Sequence, residues 1–449
     1  MIKRTDSNYY KRLLMLALPI VLQQIISVSL NLVDNIMIGK LGPLPLAAVG
    51  SANQVFGIYS MILFGLFSGA AVPLAQYFGV KDFKSIRGIV GMDIILCLVM
   101  GIPTVIAVVI AAPEVIAFFA DDAEVISMGA QYIRITALTY LTTGVSYAIA
   151  FNSRSVQALK VPTIINVCSI LTNTILNYML IYGHGGFSPM GVKGAALATL
   201  TARIFEVTAL ILYLCVDKNH PFHGRIKDFT KFSLDFVKSV MRTALPVVIS
   251  EGGWSLGVSL TFAAYGKISA QALAVIQVSQ VLCSLCQCAS FGVGNANAAL
   301  IGATLGQGKG EEAYDNSKKY MVVQWGLNAM MCIMILLLRR PIAAIYDFDA
   351  ETTQMLMLSL GVFAFTLIPR MASYAVQSGI LRAGGDTFFC MVVELVCNLG
   401  IEVALAYISV LVFKLPLHLC ILVASGGNLI KAIVEYKRYL GKKWINTII

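Results

Sequence analysis

Apolar residues in this chain gather into runs of twenty or more, separated by short segments that hold most of the charge. Stretches such as Ile94–Ala111 and Ala329–Leu338 are apolar on every face, which suits a helix surrounded by lipid rather than one lying on a soluble core. Strands crossing a membrane would instead show segments of about ten residues with strict alternation. The pattern predicts helical spans over 13–38, 44–73, 88–112, 130–151, 162–183, 191–215, 243–265, 271–304, 319–338, 354–378, 388–413 and 416–436. Each is long enough to cross about 30 Å of hydrocarbon. The expected fold class is an all-α integral membrane protein with twelve transmembrane helices.

Composition agrees. Of the 449 residues 58% are hydrophobic and 12% charged, and mean hydropathy is +0.80. A soluble domain would carry about a quarter charged residues.

The net charge of +10 changes meaning once it is placed. With a cytoplasmic N-terminus, 24 of the 33 Lys and Arg fall in cytoplasmic segments or at cytoplasmic span ends. Lys40, Lys193, Lys267, Arg339, Arg340 and Lys414 fall on the outer side, and Arg134, Arg203 and Arg370 lie within spans. That asymmetry is the positive-inside rule, so both termini are expected in the cytoplasm and the charge does not call for a nucleic-acid partner. Lys3, Arg4, Lys11 and Arg12 precede a first span too long for a cleaved signal peptide. Cys283, Cys286 and Cys288 have no His or acid near them in sequence, so no metal is expected there. His220 and His223, in a basic loop, read as solvated.

The chain repeats itself. An offset of 227 residues pairs Ala17-Leu18-Pro19 with Ala244-Leu245-Pro246, Gly39-Lys40 with Gly266-Lys267, Phe64-Gly65 with Phe291-Gly292, and Gly79 with Gly306. At 228, Pro113 pairs with Pro341, Asp121 with Asp349 and Arg154 with Arg382. Shared composition alone would not keep Pro, Gly and Arg in register. The expected organisation is an N-terminal six-helix lobe (1–215), a basic cytoplasmic linker (216–242) and a C-terminal six-helix lobe (243–449). Six spans per half make the halves parallel repeats, with a central cavity between them.

Polar residues inside the spans fall on single helix faces. The first span carries Gln23, Ser27, Asn31 and Asp34; the fifth Asn166, Ser169, Asn173 and Asn177; the eighth Gln277, Gln280, Ser284 and Gln287. Such stripes either line a cavity or join helices by hydrogen bonds. Gln23, Gln24, Asn31, Gln280 and Glu394 are the candidate lining residues. An ionisable side chain in the membrane is a functional candidate by default, which singles out Asp34 and Glu251. Arg203 and Glu206, three apart, read as a structural pair, and Asp93 as a capping or snorkelling acid near a helix end. Pro19 and Pro246 either kink their helices or occupy first turns.

Four segments carry a family resemblance. They are Ala17-Leu18-Pro19 with Leu32-Val-Asp34-Asn-Ile-Met-Ile-Gly39-Lys-Leu-Gly42; Asn173-Thr-Ile-Leu-Asn177-Tyr-Met-Leu-Ile; Gly191-Val-Lys-Gly-Ala-Ala-Leu-Ala-Thr199; and Gly379-Ile-Leu-Arg382-Ala-Gly-Gly-Asp386-Thr387. Together with the repeat they resemble the multidrug and toxic compound extrusion (MATE) family of secondary transporters over roughly residues 9–440. The resemblance implies an antiporter of the bacterial inner membrane that exports small amphipathic, often cationic, compounds by alternating access. The exchanged ion would be a proton or sodium, with no other metal or cofactor. It implies a coupling role for Asp34, with Asn173, Asn177 and Thr199 grouped around it, and for Glu251. Asn at 177 and Glu at 251 point to the NorM-like branch. That branch usually has an acid in span ten where this chain has Met371, and Glu394 is a candidate replacement.

An alternative within the superfamily is a lipid-linked oligosaccharide flippase, which would want a basic cavity. An enzyme is disfavoured: no His-Glu-x-x-His pattern occurs, and Gly253-Trp-Ser255-Leu-Gly257 lies inside an expected membrane span rather than on a strand-to-helix turn. The expected partners are the lipid bilayer and a small-molecule substrate, with the protein acting as a monomer.

Overall fold

A computed structural model describes residues 4–119, 122–345 and 348–448. Asp121, one member of the repeat, lies outside them. The described residues are helical throughout their ordered elements, with no strand among them. Eleven of the helices there are long and apolar enough to cross a membrane. The fourth expected span is the one that differs. It is divided into α5 (Ala123–Thr136) and α6 (Thr139–Ser155), and the two helices meet at Ala137 and Leu138.

The chain forms two compact units. One comprises residues 22–74 and 82–239, the other 1–21, 75–81 and 240–449. These boundaries run through helices. α1 (Arg4–Gly39) and α2 (Pro43–Gly79) each contribute to both units, and the linker belongs largely to the first.

In the first unit, α3 (Phe83–Ile110) packs on α6, and α7 (Lys160–Tyr182) on α8 (Val192–Val216). Two glycine features fix the second pair. α7 stops at Gly183 in the left-handed conformation (φ 79°), the usual helix terminator. Gly194 on α8 then lies so near the Leu180 carbonyl that a methyl group would collide with it. Small residues at the start of α8 therefore serve close packing.

The linker is not a free tether. Its short helix α9 (Ile226–Thr230) lies on α3, where Gly91 leaves room for the Phe229 carbonyl, and Arg87 donates to the His223 carbonyl at 2.9 Å. His220 is 5% exposed and accepts the Phe222 N–H at 3.1 Å. The expectation of a solvated His220 is thus corrected: Phe222, itself buried, draws the ring inward. Burial lowers its pKa to about 4, since the charged ring would lose its hydration.

The second unit holds α10 (Leu234–Gly266) from Val240 onward, α11 (Ala270–Gly306), α12 (Gly310–Ile345) and α13 (Ala350–Val376). A π-helical turn at Gln377–Leu381 leads to Arg382–Gly384 and then to α14 (Thr387–Glu394). A longer π segment, Leu395–Glu402, runs into α15 (Val403–Tyr407); α16 (Leu417–Ala424) and α17 (Gly426–Leu440) close the unit. Its core gathers Leu282, Met331, Leu360, Leu367 and Ile421. The repeat-related glycines Gly79 and Gly306 both belong to this unit and pack reciprocally. Gly79 abuts the Ala303 carbonyl, and Gly306 that of Gln76. Pro19 and Pro246 lie well inside α1 and α10, so neither is a first-turn proline. Each removes a backbone donor from the middle of its helix.

Candidate functional site

The Asp34 carboxylate is built from three helices of the first unit. On α7, residues 173, 174 and 177 face α1 together because they are three and four apart. Asn177 donates to Asp34 Oδ1 at 3.1 Å and Thr174 donates to the same oxygen at 3.4 Å. With its amide oriented to satisfy both of its ends, Asn173 donates to Asp34 Oδ2 at 2.8 Å and accepts from the Thr199 N–H at 3.2 Å. Asp34, Asn173, Asn177 and Thr199 are therefore together, as the family motif implies. Thr174 is an addition that the motif did not single out. Asp34 is only partly buried and forms no ion pair among the described residues. Asn177 Oδ1 is buried beside it, without a hydrogen-bond partner among the described residues. Amide and hydroxyl dipoles hold the charge here.

One and two turns down α7, the same stripe meets a second acid. Glu206 on α8, 1% exposed, takes the Arg203 guanidinium at 2.7 Å, the Asn166 amide at 2.9 Å and the Ser169 hydroxyl at 3.3 Å. Arg203 and Glu206 form the internal pair expected of them. Gln23 donates to Asn166 at 2.9 Å, so it acts between helices; Gln24 is half-buried and Asn31 exposed. Asp93 departs from expectation. It is fully buried between α3 and α6, where Asn152 donates to it at 2.7 Å, and it is not free to snorkel.

Glu251 belongs to the second unit and its partner there is Arg382, 2.5 Å away; Arg382 also donates to Ser250 at 3.0 Å. Glu394, the candidate for the missing span-ten acid, is likewise not alone. Lys431 approaches it at 2.6 Å and Gln377 donates to it at 2.9 Å. By sequence Lys431 counts among the cytoplasmic cations; it is instead 6% exposed within α17. Glu435, also on α17, is fully buried and accepts the Ser373 hydroxyl at 2.6 Å. A lysine inside a predicted span is the available signal; its position near the span's end disguises it. No group of three metal-ligating residues occurs among the described residues, the three close cysteines included.

The MatE family model matches the chain twice, over residues 19–179 and 247–408. The chain belongs to the MatE family. The two MatE segments coincide with the two copies of the sequence repeat. Curated relatives include a probable multidrug resistance protein NorM of Thermotoga maritima, 24% identical over 97% of this chain and 93% of its own. The multidrug resistance protein PmpM of Pseudomonas aeruginosa is 23% identical over 88% and 83%. Among solved structures, an outward-facing multidrug resistance MATE family transporter of the MOP superfamily superposes with a TM-score of 0.88 at 20% identity over 97% of both chains. A MOP superfamily transporter from Pyrococcus furiosus gives 0.87 over the same share. The MatE fold, a multi-pass helical membrane protein, is thereby established.

Proposed function

We propose that this protein is a cation-coupled antiporter that exports small amphipathic compounds, cationic ones among them, by alternating access. Relatives carrying multidrug resistance names support the substrate class. The observation that carries the coupling is Asp34: a carboxylate in a membrane span, held by Asn173, Thr174 and Asn177 and by no cation among the described residues. Charged groups within the bilayer are costly, and those kept without a counter-ion mark ion pathways. A proton would neutralise Asp34 directly. Sodium would bind the carboxylate with amide oxygens, Asn177 Oδ1 being free to serve. Either event changes the charge of the site, and its different affinity for the two facing states turns the cycle.

Glu251 takes a different part in this reading. It is paired with Arg382, whereas Asp34 has no counter-ion among the described residues. Both termini lie in the cytoplasm of a bacterial cell, and the protein acts as a monomer without nucleic acid or further cofactor.

The test is efflux of a fluorescent lipophilic cation from proteoliposomes under an imposed sodium gradient, then under a proton gradient alone. Efflux driven by one gradient and abolished by its collapse supports the reading. Efflux indifferent to both, or flipping of labelled lipid instead, defeats it.

A further inference from the structure

The repeat continues beyond Arg154 and Arg382 with one more residue gained. At an offset of 229, Cys168 pairs with Cys397, Tyr178 with Tyr407 and Glu206 with Glu435. The two family matches close at residues 179 and 408, which are the same distance apart. In this register Asn173 corresponds to Glu402 and Thr199 to Asn428; at 227, Asp34 corresponds to Thr261. Three residues that meet around one carboxylate in the first unit thus have Thr261, Glu402 and Asn428 as counterparts. Those three line a single cavity in the second unit, and Gln280 stands on its wall as well.

The cavity has a volume of about 60 Å³. That is room for roughly five water-sized groups. Duplication kept its position and changed its charges. The acid has moved from the first helix of the repeat to Glu402, at the end of the π segment, where Asn398 donates to it at 3.3 Å. A cation has been added: Arg370 on α13 faces the cavity, and its charge bears on Glu402 and Tyr265. Among the described residues Arg370 has no hydrogen bond and no ion pair, so its guanidinium is left open to the cavity. Thr261 is 9% exposed, yet its hydroxyl has no partner among the described residues. Phe262 and Phe363 supply apolar wall. A π-helical segment costs regular hydrogen bonding and is often kept at functional sites.

We propose that this cavity binds a small amphipathic zwitterion, with its carboxylate on Arg370, its ammonium on Glu402 and its apolar part against Phe262 and Phe363. A planar guanidinium suits a carboxylate bidentately, and a carboxylate with flanking amides suits an ammonium. The available volume matches an α-amino-acid head group. Such a site narrows the substrate class of the exporter reading and rests on that reading for its role in transport; its occupancy can be measured without transport.

The full chain, purified in detergent, is titrated calorimetrically with L-alanine, with ethylamine (no carboxylate) and with propionate (no ammonium). Alanine is expected to bind at least about tenfold more tightly than either half-ligand, since each charge-assisted contact contributes that much. Arg370→Gln should weaken alanine and propionate about tenfold and leave ethylamine unchanged; Glu402→Gln should do the converse. Equal binding of all three, absence of binding, or a uniform loss in Arg370→Gln overturns the proposal. If Arg370→Gln does not purify as a single species, Glu402→Gln carries the test, and a loss of ethylamine and alanine binding with propionate unchanged is required of it. Gradient-driven efflux of the lipophilic cation, measured in parallel, separates failure of this site from failure of the exporter reading.

Discussion

Lys431 on α17 sets its ammonium 2.6 Å from Oε2 of Glu394 at the end of α14, and both side chains are less than a tenth exposed. The pair couples α17 to the start of the π segment. Removing one member leaves a buried charge without its partner, a loss of about 3–5 kcal/mol; removing both leaves neither of the two unpaired. Lys431→Met or Glu394→Gln alone should therefore lower the melting temperature of the detergent-solubilised protein sharply. The double variant should recover part of the loss, because the fully buried Glu435 on α17 also loses the Lys431 charge. A double variant as unstable as the worse single one would show that the ion pair is not what joins these helices.

The segment after α17 is a second anchor. Trp444 is fully buried, its indole N–H donates to the Tyr439 carbonyl at 3.2 Å, and its own carbonyl lies against Gly384. Gln76 reaches the same segment, accepting the Ile448 N–H at 2.8 Å. Truncating a buried aromatic of this size costs about 3–5 kcal/mol. Trp444→Ala should destabilise the protein by that order in thermal melting. Gly384→Ala should do so too, because its added methyl has no space. Unchanged melting in both would mean that the segment is not anchored there.

Most of the architecture was legible because lipid imposes it. Twelve apolar runs, an offset near 227 and a stripe such as Asn166, Ser169, Asn173, Asn177 follow from period and length alone. The grouping of Asn173, Asn177 and Thr199 around Asp34 came from family motifs, and the geometry agrees. What escaped was the pairing of charges across helices. Nothing in local sequence says that Arg382 meets Glu251, 131 residues away, or that Lys431 meets Glu394. The burial of His220 escaped for a related reason. A polar loop reads as solvated until particular neighbours, Phe222 and Tyr213, pack on the His220 ring.

His220 gives the linker a pH dependence. Burial disfavours the charged ring, so the folded pKa, about 4, lies below the ordinary value of 6.5. The unfolded linker then binds the proton more readily. Its packing is at full strength above pH 6.5 and weakens as pH falls from there toward 4. Hydrogen-exchange protection over residues 216–230, taken relative to the intrinsic rate at each pH, should fall across that window in the native protein. His220→Gln, which cannot take up a proton, should hold that protection level. A profile unchanged by the substitution would exclude the ring as its source.

The sharpest prediction concerns Asp34. An asparagine in its place would fill the same space, and its neighbours could still be satisfied. Asn177 and Thr174 can donate to the amide oxygen, and Asn173 can rotate to accept from the amide nitrogen. Asp34→Asn should therefore insert and melt within a few degrees of the native protein. It can no longer exchange a charge with the coupling ion, so gradient-driven efflux should fall to the rate of empty liposomes. Asn177→Ala keeps the carboxylate and removes one of its donors, a contact to a charged group of about 1.5–3 kcal/mol. Efflux should persist there, with the coupling-ion concentration for half-maximal rate shifted about tenfold or more. Full efflux from Asp34→Asn would remove Asp34 from the mechanism. A collapsed melting curve would instead show that its charge holds α1 and α7 together.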